Sequence, residues 1–266
     1  MKTPSILVFT DLDGTLLDHH NYSTAAAQPA LDALKAADIP VIFNTSKTQP
    51  EVLRLRRALG NTSPYVCENG GAIYYPDDAG EWQCELPGAS YDDILKVLLQ
   101  LRRDGFRFRG FNDMTETEVA AITGLSIDDA HFAKQRAATE PLLWQGSDDE
   151  LTAFAATLEH HQLRLLKGGR FYHVMGNADK ASAMTWLADY YRTQTEHPIV
   201  TIALGDGGND KAMLEAADYP IVIPGEHATL SIDHPKGQTA KSKGPQGWND
   251  SVLPLLTQLH KENLSG

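Results

Sequence analysis

The sequence predicts an α/β protein, a doubly wound parallel sheet with a separate α+β module inserted into it. Three observations carry this prediction. Short, continuous apolar runs recur along the chain and suit strands buried on both faces. Stretches of helical spacing separate those runs, as βαβ units require. Over residues 84–170 the pattern changes to period-two alternation mixed with helix-capping signals.

The first apolar run is Ile6–Thr10, and it stops at Asp11. Ala25–Ala37 is rich in Ala and Leu and reads as a helix. Ile39–Phe43 is the second strand. Pro50 suits a first helical position for a helix over Glu51–Leu59, and Gly60 suits its close. Tyr65–Cys67 is a third strand.

The inserted module follows. Tyr91–Arg103 is amphipathic, with Ile94, Leu98 and Leu101 on one face. Phe106–Phe111 alternates like a half-buried antiparallel strand. Thr115, Ser126 and Ser147 each precede an acidic residue three positions on, and the first and third form capping boxes with Glu118 and Glu150. Pro141–Trp144, Leu163–Leu166 and Phe171–Met175 read as further strands.

The parallel pattern then resumes. Asp179–Arg192 is a helix with Ala183, Trp186, Leu187 and Tyr190 on one face. Ile199–Leu204 and Tyr219–Ile223 are strands, and Lys211–Ala217 is a short helix between them. The Gly-, Pro- and Lys-rich stretch His234–Trp248 reads as a loop. The expected domains are therefore a core of residues 1–83 and 171–266 and an insertion of 84–170.

Composition narrows the function. The chain has 266 residues, 42% hydrophobic and 22% charged, which is ordinary for a folded protein. Asp and Glu outnumber Lys and Arg, 35 to 23, for a formal charge of −12. Such a surface repels phosphate backbones and anionic lipid, so neither nucleic acid nor membrane is the expected partner. Two cysteines, Cys67 and Cys84, suggest free thiols in a reducing compartment. The apolar run Ile6–Phe9 is too short for a signal segment, and the expected location is cytoplasmic.

Two acidic clusters carry the chemistry. Asp11-Leu-Asp13-Gly14-Thr15 directly follows the first strand, and ligands of open parallel sheets bind beyond the carboxyl ends of strands. Asp11 and Asp13 are two apart, so in extended backbone both point to one side, where they repel unless a cation or proton lies between them. Gly205-Asp206-Gly207-Gly208-Asn209-Asp210 also follows a strand. Asp206 and Asp210 are hard oxygen ligands of the kind Mg²⁺ takes beside substrate phosphate oxygens. Either cluster alone also reads as a solvated turn. Both at strand ends make a turn-only reading improbable.

Asn44-Thr45-Ser46-Lys47 adds hydroxyls and a cation beyond the second strand. Lys180 stands at a helix N-terminus, where the helix dipole disfavours a cation, which suggests a neighbouring anion. Singly, Thr45, Lys47 and Lys180 also read as ordinary caps or surface cations. Together, an Asp nucleophile, a carboxylate acid/base, a hydroxyl, a Lys and Mg²⁺ are what phosphoryl transfer to a carboxylate needs.

DLDGT at 11–15, NTSK at 44–47, Lys180 and GDGGND at 205–210 resemble, in residue type and order, the haloacid dehalogenase-like phosphatase superfamily. The resemblance implies a Rossmann-like core with an α/β cap inserted between its second and third motifs, and Glu68-Asn69-Gly70-Gly71 is similar to a turn of the subgroup with that cap. It further implies roles. Asp11 would be the nucleophile, Asp13 the acid and base, Thr45 a phosphoryl donor and Lys180 a charge balance. Mg²⁺ would lie on Asp11, Asp206 and the Asp13 carbonyl, with Asn209 and Asp210 ordering its waters or Lys180.

A narrower resemblance, to the mannosyl-3-phosphoglycerate phosphatases, rests on Ser46-Lys47-Thr48, Thr123–Ser126, Gly168–His173, Asp179-Lys180 and Gly244-Pro245-Gln246-Gly247-Trp248. Gln246 departs from it, standing where an acidic residue is expected. It implies hydrolysis of a small phosphorylated substrate, a glycosyl-3-phosphoglycerate and first of all mannosyl-3-phosphoglycerate, to mannosylglycerate and phosphate, the substrate being touched by Ser46, Lys47, Asn69, Gly70 and Arg170. Arg170 is a bidentate partner for carboxylate or phosphate, whereas His173 alternates with Phe171 as a strand residue does. The alternative within the superfamily is a broad sugar-phosphate phosphatase or a phosphomutase. A catalytically silent phosphate or Mg²⁺ sensor would have no need of a nucleophile. A nucleotide-binding dehydrogenase is excluded, because no G-x-G-x-x-G follows the first strand.

Overall fold

A computed structural model describes residues 5–168, 170–226 and 228–265, the side chains of 262–265 excepted. Gly169, part of the 168–173 motif, lies outside the described residues. In chain order the elements are β1 (Ser5–Thr10), α1 (Gln28–Ala36), β2 (Val41–Asn44), α2 (Gln49–Leu59), β3 (Tyr65–Cys67), β4 (Ala72–Pro76), β5 (Trp82–Glu85), α3 (Tyr91–Arg103), β6 (Phe108–Gly110), α4 (Glu116–Thr123), α5 (Ile127–Lys134), β7 (Thr139–Trp144), α6 (Asp148–His160), β8 (Leu163–Lys167), β9 (Tyr172–Gly176), α7 (Lys180–Gln194), β10 (Ile199–Gly205), α8 (Lys211–Ala216), β11 (Tyr219–Val222), β12 (Gln238–Thr239) and α9 (Gly244–Ser265).

The chain divides into two compact units. The first comprises Met1–Thr45, Ser63–Val66 and Asp179–Gly266, and the second Ser46–Thr62 and Cys67–Ala178. Strands of the first unit run in the order β12-β11-β10-β1-β2-β3, every neighbouring pair parallel. β1 sits centrally, with β10 on one side and β2 on the other, so the direction of winding reverses at its carboxyl end. That crevice is where doubly wound sheets bind ligands. Leu7, Val8 and Phe9 of β1 are buried whichever face they take, which is why the strand carries no polar alternation.

The second unit contains a four-stranded antiparallel sheet, β6-β7-β9-β8. Ile94, Leu98 and Leu101 of α3 pack with Phe154 and Leu158 of α6 on the sheet residues Phe108, Leu142 and Val174. Val119 of α4 and Ala130 and Ala133 of α5 form a smaller core with Phe111 and Met114. The expected helix starts hold. Thr115 accepts from Glu118 N at 3.3 Å, Ser126 from Asp129 N at 3.1 Å and Ser147 from Glu150 N at 3.2 Å. Gly60 closes α2 with φ +61°, a conformation that favours glycine.

Two differences from the sequence reading are clear. β4 and β5 form an antiparallel hairpin, Tyr74 opposite Cys84, that the reading passes over. Its signal was present in Ile73–Tyr75 and the turn at 77–80. The stretch His234–Trp248 is not all loop, because it holds β12 and the first turn of α9. Cys67 is buried and Cys84 exposed, both as free thiols. Among the described residues no helix is long and apolar enough to cross a membrane.

Candidate active site

The candidate site lies in the first unit, at the carboxyl ends of β1, β2 and β10. β1 ends at Thr10, and Asp11 follows it, still buried, at the carboxyl end of the strand. The chain then turns tightly. Leu17 N donates to Leu12 O at 2.8 Å and Gly14 N to Leu17 O at 3.0 Å. Gly14 takes φ +77°, and a Cβ there would stand 2.8 Å from Asp206 Oδ2. The glycine therefore both permits the turn and leaves room for the Asp206 carboxylate. Thr15 Oγ1 donates to Asp206 Oδ1 at 3.0 Å and so joins the two acidic motifs.

Asp210 is wholly buried and pins the second motif. Its Oδ2 accepts from Asp206 N at 3.1 Å and Gly207 N at 2.9 Å. A Cβ on Gly205 would meet the Asp210 Cβ at 2.5 Å, so this fold of the turn requires glycine. Asn209 lies in the same short 3₁₀ turn, Gly208–Asp210.

Lys180, 1% exposed, opens α7 behind its N-cap, Asp179, which accepts from Ser182 N at 2.7 Å. The Lys180 Nζ donates to Asp11 Oδ1 and to Asp210 Oδ1, both at 2.6 Å. The anion that its place at a helix N-terminus called for is thus a pair of carboxylates. Asn44, the last residue of β2, holds α7 in place by donating its Nδ2 to Lys180 O at 2.9 Å. Thr45 follows Asn44, is wholly buried, and is tied to β3 by Thr45 N→Val66 O at 3.1 Å.

The cluster is short of positive charge. Ligand oxygens of Asp11, Asp206 and Asp210 lie within 4.8 Å of one another, and Lys180 Nζ pairs with two of the three, Asp11 and Asp210. Burial pushes the Asp11 carboxyl well above the ordinary carboxylate range, with Lys180 only partly opposing it. Burial and the neighbouring Asp210 push Asp206 up to about 6. Burial also works against the charge on Lys180, yet Asp11 and Asp210 hold it above the ordinary lysine value. A set of hard oxygens with surplus negative charge, beside a carboxylate that a glycine leaves uncrowded, fits a divalent cation.

The expected substrate-binding residues belong to the second unit. Lys47 O accepts from Glu68 N at 3.0 Å, and Ser46 O from Arg136 Nη1 at 3.5 Å. Asn69 and Gly70 take left-handed backbone, φ +58° and +95°. Arg170 donates from Nη1 to Ile122 O at 2.9 Å and from Nη2 to Thr123 O at 2.6 Å, so it caps the end of α4. His173 is held neutral, its pKa lowered to about 3 by burial and then by Arg136. The sequence reading assigned no part to Asn44 or Thr15. Both lie inside motifs it quoted, but their partners are more than a hundred positions away in the chain.

Residues 8–224 match the family described as haloacid dehalogenase-like hydrolase. A protein of Methanococcoides burtonii named glucosyl-3-phosphoglycerate/mannosyl-3-phosphoglycerate phosphatase is 40% identical over 265 residues, covering 94% of this chain and 97% of that one. One of the same name from Persephonella marina is 33% identical, covering 96% and 99%. In fold, the chain is similar to a haloacid dehalogenase superfamily phosphatase of Bacteroides thetaiotaomicron (TM-score 0.67, 19% identity, 97% and 96% covered). It is also similar to the sucrose-phosphatase of Synechocystis (TM-score 0.62, 14% identity, 97% and 98% covered). A family match that takes in both acidic strand ends, with relatives aligned over nearly their whole length, makes this chain a member of the haloacid dehalogenase-like hydrolases.

Proposed function

We propose that this haloacid dehalogenase-type phosphatase hydrolyses a glycosyl-3-phosphoglycerate, with mannose or glucose as the sugar, to the glycosylglycerate and phosphate. The observation that carries the reading is the buried Asp11–Lys180–Asp210 cluster at the central strand end. The full-length relatives named for that substrate support the choice of ester.

Asp11 attacks phosphorus, the bond to the glycerate oxygen breaks, and an aspartyl-phosphate forms. Asp13 gives its proton to the leaving oxygen and then takes one from the attacking water, which releases phosphate and restores Asp11. Lys180, hydrogen-bonded to Asp11 Oδ1, holds the nucleophile in place and offsets charge gathering on the phosphoryl oxygens. Thr45 donates to the same oxygens. Mg²⁺, held by Asp11, Asp206 and the Asp13 carbonyl, would supply the rest of the charge neutralisation, with Asn209 and Asp210 behind it. Residues 84–170 act as the specificity cap, and Ser46, Lys47, Asn69 and Gly70 contact substrate, joined by Arg170 once its guanidinium leaves the Ile122 and Thr123 carbonyls.

Phosphate release is the test. Purified protein with Mg²⁺ should turn over mannosyl- or glucosyl-3-phosphoglycerate with a kcat/KM at least about a hundredfold above that for hexose phosphates. Equal turnover of several hexose phosphates would replace this reading with a broad sugar-phosphate phosphatase. An isomerised phosphate product would make it a mutase.

A further inference from the structure

We propose that the tail motif 244–248 is a positioning device for Asp11, acting through Trp248 and Thr10. The proposal rests on the reading of Asp11 as nucleophile. The motif Gly244-Pro245-Gln246-Gly247-Trp248 has no part in the chemistry above, yet it forms the first turn of α9 and leads straight to the central strand.

The Asp11 carbonyl poses a problem of hydrogen-bond accounting. Asp11 N continues the ladder by donating to Leu204 O at 2.9 Å. Beyond that point the amides at both neighbouring strand ends are engaged elsewhere, Asp206 N with Asp210 Oδ2 and Thr45 N with Val66 O. A buried carbonyl left without a donor is costly. Here the Thr10 hydroxyl supplies the donor, with Oγ1 to Asp11 O at 2.7 Å.

A hydroxyl can turn, and Trp248 stops it turning. The indole is wholly buried, and its Nε1 lies 3.0 Å from Thr10 Oγ1. An indole N–H only donates, so Thr10 Oγ1 must accept from it and direct its own proton elsewhere, to Asp11 O. The carbonyl of the peptide that follows Asp11 is thereby held, and with it the direction of the carboxylate and the start of the turn to Asp13. An offset of an ångström at a nucleophile costs rate far more than it costs binding.

The rest of the motif seats Trp248. A Cβ on Gly247 would lie 1.9 Å from Ser242 O, so only glycine allows the chain to fold back there. Gly244 takes φ +52°, and a Cβ on it would be 3.9 Å from Gly14 O, which places the start of α9 against the turn that carries Asp13. Asn249, next in the chain, accepts from Ala30 N at 3.1 Å and fixes the other side of the same helical turn.

The test uses p-nitrophenyl phosphate, so it does not depend on the natural ester. Trp248→Phe keeps the ring and removes the N–H, Thr10→Val removes the hydroxyl at constant shape, and Thr10→Ser keeps the hydroxyl. The expected result is a fall in kcat of about tenfold in the first two with KM within about twofold. Thr10→Ser should stay close to wild type. The double variant Trp248→Phe/Thr10→Val should be no slower than Thr10→Val alone, because both act through one hydrogen bond. Wild-type kcat in a folded Trp248→Phe, additive losses in the double variant, or an equal loss in Thr10→Ser and Thr10→Val would each overturn the proposal. If Trp248→Phe does not fold, the contrast between the two Thr10 variants decides it. Asp11→Asn in the same assay separates the two claims. Activity retained there refutes the nucleophile, whatever the other variants do.

Discussion

Glu68 of the second unit and Asp11 and Asp210 of the first are all buried, and their charges are met in opposite ways. In the second unit Glu68 is 1% exposed and surrounded by donors. It accepts from Ala137 N at 2.7 Å, Ala138 N at 3.2 Å and Thr139 Oγ1 at 2.7 Å, with Arg136 Nη1 at 4.0 Å. In the first unit Asp11 and Asp210 share the Lys180 ammonium with Asp206 close by, and burial, aided by repulsion among the three, raises Asp11 and Asp206 above the ordinary carboxylate range. Burial alone therefore does not mark a reactive carboxylate. A buried acid whose donors match its charge is structural. A cluster left with surplus charge is waiting for a cation or a phosphoryl group.

The most severe way to break this contrast is to neutralise one member of each set. Asp11→Asn should lower phosphatase activity by at least about a thousandfold. Without metal it should unfold at the same or a higher urea concentration than wild type, since one repelling charge has gone. Glu68→Ala should do the reverse. Stranding its donors should cost about 3 kcal/mol in urea unfolding, while the metal requirement of the remaining activity stays as in wild type. A Glu68 variant of unchanged stability would refute the structural reading of that acid.

Metal linkage sharpens the comparison. Mg²⁺ at about a hundred times its dissociation constant should stabilise the protein by about 2.7 kcal/mol, read as a rise in melting temperature. Chelation should abolish phosphate release, and Asp206→Asn should remove the thermal shift. A shift that survives Asp206→Asn would place the ion elsewhere.

The smallest effect is one of pH, within the second unit. His173 has its pKa lowered to about 3 by burial and then by Arg136, so its contribution to stability is full above the ordinary value of 6.5 and is lost as pH falls below it. Burial raises Glu140 from 4.5 to about 6, against its bonds from Asn112 N and Tyr91 Oη. That group works in the opposite sense, weakening the fold as pH rises from 4.5 to 6. Each acts at up to about 1.4 kcal/mol per pH unit, so these two largely cancel one another over that window. Relative to wild type, His173→Leu should therefore lose about 1–2 kcal/mol more stability between pH 4.5 and 6 in urea titrations. A change of stability with pH equal to that of wild type would refute the assignment.

Much of the architecture was legible without coordinates, because it follows from local chemistry. β1, β3 and β10 are apolar on both faces, and no solvent-facing strand would tolerate that pattern. Gly14 and Gly205 stand where a side chain would collide with the second acidic motif, and glycine beside aspartate at a strand end is visible as such in the chain. The helix starts at Thr115, Ser126 and Ser147 are readable because each cap reaches only three residues ahead.

What the chain alone left open is which groups meet. Any of the four aspartates in the two acidic motifs could have taken Lys180, but only the packing of β10 against β1 brings Asp210 Oδ1 and Asp11 Oδ1 to the same ammonium. Nothing in the local pattern around Trp248 points to Thr10, and Arg170, a plain anion partner by residue type, turns its guanidinium to the carbonyls that end α4. Backbone preference acts over a few residues and leaves its mark in neighbouring letters. Electrostatics and hydrogen bonding act over a few ångströms of space, and sheet order decides which distant letters share that space.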